Sequence, residues 1–354
     1  MAGRKHHFLP AALIGGFSSD TTDPLRNRTI WFRRRGMDRS IPVRAEAKGW
    51  ILDLYTLRGG DGRSAGSIDH MWDLYEPQLP QAIAALVASD TGSLSADLWV
   101  RTLLPFVAGL FVRGPEYVRR FAVTMDKQVP GWRALLSQAQ AGDNINYARL
   151  IEMQRLIHPF ACLEWTVVHC VDSAIAITSD TGYTLMALEA DPSRQVGYAI
   201  PLRSDTILTL RPGHRHCIVG WHQGQWIVQG IMHAQGTADD VAKCNDAIAS
   251  AAISEIYGAA EQLIDRHCQV WRNSRDTLQC AQGPYWVARD GATMRHNEMF
   301  HADMVRRISA PPPPGTPEAI LIAPYTPTPA MGFRRGPAVY RLILPPPSHE
   351  GCSP

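Results

Sequence analysis

Over the first sixty residues, apolar positions come in short clusters separated by Gly, Pro, Asp and Arg, a pattern that predicts irregular structure with short strands. Thr29-Ile30-Trp31-Phe32 and Gly49 to Thr56 are the strand candidates, and the Gly59-Gly60-Asp61-Gly62 run predicts a loop. From Ser67 the period changes. Ile68, Met71, Trp72, Tyr75, Leu79, Ile83, Leu86 and Val87 fall on a helical stripe running to Ser89, which Pro77 and Pro80 should kink or divide. Ser95 is placed to cap a second helix carrying Leu98, Leu103, Phe106, Val107 and Leu110. Gly114-Pro115 ends that helix and starts a third over residues 116–125. A fourth is expected over 145–157, stopping ahead of Pro159.

Past Pro159 the pattern becomes strand-like: Trp165 to Val171, Ala174 to Thr178, Thr206 to Leu210 and Trp226 to Ile231. Gly197 to Leu202 reads as an edge strand, because Pro201 cannot donate to a ladder. Thr237, followed by Asp239 and Asp240, marks the N-terminus of a long helix through Asn245, Ile253 and Ile256 to Ile264, bent near Gly258. The expected class is α+β: a helical N-terminal half packed on a mostly antiparallel sheet, with a C-terminal helical cap. One mixed domain would span residues 1–310, with its helical part at 67–158, its sheet at 164–232 and its later helices at 237–268. Residues 311–354 form a Pro-rich tail of linker or polyproline composition, a place for a protein partner, although Tyr340 to Leu344 could add a strand.

Composition narrows the picture. With 354 residues, 45% of them hydrophobic, the chain can bury one large core or two smaller ones. A formal net charge of +2 gives no bulk attraction to nucleic acid or membrane, so nucleic acid enters only as a substrate. The seven cysteines are an odd set with no C-x-x-C spacing, which argues against a disulfide scaffold or zinc ribbon and fits a reducing compartment. Neither a signal peptide nor an apolar run of membrane-spanning length is present, and the expected location is cytoplasmic.

The polar residues that could do chemistry are scattered. Arg4-Lys5-His6-His7 precedes an apolar run through Phe8, Leu13 and Phe17, and His6 and His7 read either as a site or as ordinary packing. Thr178-Ser179-Asp180 stands at the end of an apolar stretch, where a strand end can present a ligand carboxylate or simply turn at Gly182. Asp69, Asp73 and Glu76 have the spacing to share one helix face, toward a metal, a buried arginine or water. His214 and His216 would face the same side of a strand but lack a regularly spaced third ligand. His233 reads as structural. No P-loop, G-x-S-x-G elbow, H-E-x-x-H or dinucleotide fingerprint occurs.

Taken in order, these motifs resemble the bacterial family called domain of unknown function four-two-three-eight. The matching pieces are Lys5-His6-His7-Phe8-Leu9-Pro10, the acidic stretch Asp69 to Glu76, Arg113-Gly114-Pro115, the strand with Trp165, and Thr178-Ser179-Asp180. Pro201-Leu202 and the helix bearing Asn245, ending near Tyr257, complete the series, which covers about Lys5 to Asp265. The chain departs from the pattern at Ala11-Ala12-Leu13, at Thr181-Gly182, and at Asp69, where the family commonly has Glu. The resemblance implies a fold and supplies no activity.

Two functions follow as expectations. In the first, the chain is a metal-assisted hydrolase or phosphodiesterase. His6 and His7 act as ligand or base, His7, Glu76 and Asp180 hold a divalent metal, Ser179 stands beside them, and Arg113 stabilises developing negative charge. In the second, it is a non-catalytic binding protein, one component of a toxin or defence system, and the same residues are buried struts.

Overall fold

The computed structural model describes residues 4–58, 66–89, 94–128, 138–171, 173–187, 196–213, 217–273, 291–314 and 319–321. The chain opens with strand β1 (Lys5–His7) and helix α1 (Ala11–Gly15). It continues through β2 (Thr29–Arg34), β3 (Ile41–Arg44), β4 (Trp50–Leu52), β5 (Thr56–Leu57) and β6 (Gly66–Ser67) into α2 (Leu79–Val87). After β7 (Leu94–Ser95), α3 (Ala96–Leu98) passes through a π-helical stretch (Trp99–Leu103) into α4 (Leu104–Arg113). Helices α5 (Pro115–Gln128) and α6 (Gln138–Ala161) follow. Next come β8 (Glu164–Cys170), β9 (Thr178–Ser179), β10 (Thr184–Ala187), β11 (Val196–Arg203), β12 (Thr206–Arg211), β13 (Ile218–His222), β14 (Gln225–Gln229) and β15 (Met232–Gly236). The order closes with α7 (Ala238–Ala251), β16 (Glu255–Gly258), α8 (Glu261–Asn273), α9 (Gly291–Ile308) and β17 (Ala319–Leu321).

Helices and mainly antiparallel sheets make this a mixed α+β protein. Among the described residues the strands form five sheets, with orders β1-β4, β10-β11-β12-β8-β15, β17-β13-β14-β7, β3-β2-β16-β9 and β5-β6. The β8–β15 pair alone runs parallel there. One large core and two smaller clusters join the helices to the sheets. Trp99 meets the Trp165 ring at 5.6 Å, and Phe111 of α4 packs on Tyr183 at 3.9 Å and Tyr198 at 5.1 Å. No helix of the described residues is long and apolar enough to cross a membrane.

Several sequence expectations are corrected. The stripe from Ser67 is not one helix. Short 3-10 turns at Asp69–Met71 and Glu76–Gln78 precede α2, so Asp69, Asp73 and Glu76 share no regular helix face, and Asp73 is exposed. Helix α6 carries Pro159 inside its last turn instead of stopping before it. The expected long helix after Thr237 is two helices with β16 between them, although Thr237 and Asp240 do form the reciprocal capping box. Strand β11 is internal. Pro201 lies past the β10 pairing, which covers residues 196–199, and at a bulge in the β12 ladder between Pro201 and Arg203, where a missing N–H is tolerated. From the tail, Ala319–Leu321 pairs with β13; the strand suggested at Tyr340 to Leu344, the Gly59–Gly62 loop and His214/His216 lie outside the described residues.

One buried histidine gives the fold a pH dependence. His158 of α6 packs on Phe300 at 4.4 Å, and its Nδ1 lies 2.7 Å from Asn297 Oδ1 of α9. Burial pushes its imidazole down to about 4. An unfolded histidine titrates near 6.5, so the stability held by neutral His158 is complete above that pH and is lost as pH falls through 4. The loss should be on the order of 3 kcal/mol. The Asp180 carboxyl, pushed up to about 6, shifts stability the opposite way over this window. The His158 loss is therefore read as the difference between the parent and His158→Gln in urea titrations at pH 7 and pH 4; an equal pH dependence in the two would place the acid sensitivity elsewhere.

Candidate functional site

The N-terminal motif is tied down by backbone first. Strand β1 pairs with β4 in the register His6↔Ile51, and the Phe8 and Leu9 N–H groups donate to Gly49 O at 2.8 and 3.2 Å. Alternation along the strand then sends His6 inward. Its Nδ1 accepts from the Tyr55 N–H at 2.8 Å, its ring stacks on Tyr55 at 5.4 Å, and Nε2 lies 3.4 Å from Ser67 Oγ. A backbone N–H can only donate, so Nδ1 is unprotonated. Burial lowers the imidazole's basicity further, with Asp69 opposing, and His6 is a neutral packing strut.

The next residue meets Arg113, the last residue of α4, which is 1% exposed. Arg113 Nη2 donates to His7 O at 2.6 Å, Nη1 donates to Tyr75 Oη at 3.2 Å, and Nη1 pairs with Glu76 at 2.5 Å. The guanidinium lies over the Trp72 ring at 4.8 Å, and the Tyr55 hydroxyl donates to Arg113 O at 3.0 Å. Gly109, one turn earlier, is required here. A Cβ on it would stand 2.4 Å from Tyr75 Oη and displace that hydroxyl from the arginine. The His7 imidazole is half-buried beside Glu76, and burial holds it below the usual histidine value while Glu76 pulls it back up. His7 Nδ1 and Trp72 Nε1 are buried without a hydrogen-bond partner among the described residues.

Two more buried arginines close the end of α4. Arg149 of α6 donates to Val112 O and Gly114 O, and Arg120 of α5 donates to Phe111 O. These cations satisfy the last carbonyls of the helix, where the macrodipole favours positive charge. Arg149 also lies over the Tyr55 and Tyr117 rings at 5.4 and 5.1 Å.

Asp180 goes elsewhere. Its carboxylate, 1% exposed, accepts from Ile253 N at 2.9 Å, Ser254 N at 2.7 Å, Ser254 Oγ at 2.8 Å and Glu255 N at 3.1 Å. Burial pushes its carboxyl up to about 6 against the pull of these donors. Its own N–H donates to Glu255 O, so the strand end and the segment ahead of β16 are laced together. Ser179 is fully buried, with Oγ 2.8 Å from Thr181 Oγ1. Gly182, at φ +72°, fits because a Cβ there would stand 2.9 Å from Leu9 and 3.0 Å from Leu110. Asn245 completes the frame: its Oδ1 accepts from Ile177 N at 3.0 Å and its Nδ2 donates to Ile175 O at 2.9 Å.

Of the residues picked from sequence, His7, Glu76 and Arg113 therefore meet, His6 stands against Tyr55, and Ser179 and Asp180 face residues 181 and 253–255. Among the described residues no group of three or more His, Cys, Asp or Glu side chains is arranged to hold a metal ion. Tyr55, Trp72, Tyr75 and Arg149 were missed as polar partners. In the sequence the three aromatics read as strand and core-stripe residues, and Arg149 carries no local mark.

No curated protein and no solved structure shows significant similarity to the chain. The model of one family, described as protein of unknown function (DUF4238), matches residues 5–262, a span that holds every residue of this frame, and the chain belongs to that family.

Proposed function

We propose that the protein is a non-catalytic binding protein whose polar motifs form its internal frame. One observation carries this reading: the Asp180 carboxylate spends its lone pairs on four donors from residues 253–255. A carboxylate so engaged has little left for a metal ion, and both Nη nitrogens of the buried Arg113 are engaged, one by Glu76 and Tyr75 and the other by His7 O. The reading as a metal-assisted hydrolase or phosphodiesterase keeps one observation in its favour, the Nδ1 of His7, unpartnered among the described residues, next to Glu76 and Arg113.

The frame reading makes the N-terminal motif indispensable to folding. Deleting residues 1–10 removes β1 from β4, the His6 ring from Tyr55 and the His7 carbonyl from Arg113. The shortened chain is expected to lose its cooperative thermal transition by circular dichroism. A shortened chain that stays monodisperse and melts cooperatively near the parent temperature would overturn this role.

A further inference from the structure

Between the five-stranded sheet and α7 lies a cavity of about 400 Å³, within the range of small-ligand sites. One face of the sheet makes its floor. Side chains alternate along each strand, so the register sets Thr209, Thr166 and Met232 in one row across β12, β8 and β15. Ile207, Val168 and Ala234 form the next row. Val241 and Cys244 of α7 close the cavity on that side. Burial pushes the Cys244 thiol up to about 12, so it serves as apolar wall.

The charges lie at opposite ends. Arg211 pairs in register with Glu164 at the start of β8, whereas Gly236, just ahead of α7, pairs with Cys170 at its end. Six residues of strand separate these ends by about 20 Å. Asp240, on the α7 side, keeps its carboxylate on Thr237 as the capping box. Arg211, half-exposed, gives Nε to Glu164 at 2.8 Å and brings its further donors to the polar end. Between them stands Thr166. It lines the cavity and is only 9% exposed, yet its Oγ1 has no hydrogen-bond partner among the described residues. Buried hydroxyls are normally paired, and an acceptor inside the cavity would pair this one.

We propose that this cavity binds a small amphipathic carboxylate. The apolar body lies against Val168, Ile207, Met186 and Val241, and the carboxylate takes the Thr166 hydroxyl and the Arg211 guanidinium. The inference rests on the reading of the protein as a binding protein and adds the ligand class.

Isothermal titration calorimetry of the full chain with sodium octanoate tests it, with octan-1-ol as the neutral control. One saturable site is expected for octanoate, with octanol weaker. Thr166→Val, nearly isosteric, should weaken octanoate about 5- to 10-fold, and Arg211→Gln should remove the preference for octanoate over octanol. Absence of octanoate binding to the folded parent, equal binding of octanol, or octanoate affinity unchanged in both variants would overturn the site. Octanoate binding by a chain that folds without residues 1–10 would keep the site and overturn the frame; the opposite pair of results would overturn the site alone.

Discussion

Asp180→Ala is expected to destabilise the protein by about 3–5 kcal/mol, measured as the loss of unfolding free energy in urea at pH 7. The reason is the number of donors left behind. Three backbone N–H groups and the Ser254 hydroxyl converge on one buried carboxylate, and an alanine leaves all four without it. The affected segment leads into β16, which pairs with both β2 and β9, so the damage reaches a four-stranded sheet. Asp73→Ala is the control. That carboxylate is exposed, and its loss should stay within about 0.5 kcal/mol. Equal small effects of the two variants would remove Asp180 from the frame.

The second large effect belongs to Arg113. Arg113→Met should cost about 3–5 kcal/mol, because it leaves Glu76 without its cation and strips the Tyr75 hydroxyl and the His7 carbonyl of a donor. Removing the stranded charge as well should recover part of the loss. In a double-mutant cycle with Glu76→Gln, a coupling of about 1–3 kcal/mol is expected from chemical denaturation. Additive single and double variants would mean that the ion pair contributes nothing of its own and that Arg113 acts through its bonds to Tyr75 and His7 O and its packing on Trp72.

Much of this arrangement was legible in the chain, and the rest was hidden for identifiable reasons. Periodicity located the helix opened by Ser95, the helix expected over residues 116–125 and the strands β8, β12 and β14, because each presents a regular apolar face to the core. It misread residues 255–258, where Ile253, Ile256 and Ile264 suit a helix as well as a four-residue strand between two helices. The Ala174 to Thr178 stretch has strand composition but pairs as β9 only at its last residue. Before that, its backbone groups are taken by the Asn245 side chain and by Ser204 O. Polarity singled out His6 and Asp180, and the resemblance brought in Arg113. Their partners, however, lie 49 residues away for His6 and 73–75 for Asp180, and no local pattern encodes such pairings. The carboxylates of residues 69–76 drew attention as a helix face, whereas Pro77 and the short turns around it leave Glu76 alone to find Arg113.

The most direct test of the frame reading is the metal content of untagged protein by inductively coupled plasma mass spectrometry, run beside a His7→Ala, Asp180→Ala double variant. The account predicts no stoichiometric metal in the parent and, in the variant, a melt lowered by the loss expected for Asp180→Ala. Stoichiometric divalent metal in the parent, absent from a variant that still folds, would contradict it and place a metal centre at these residues.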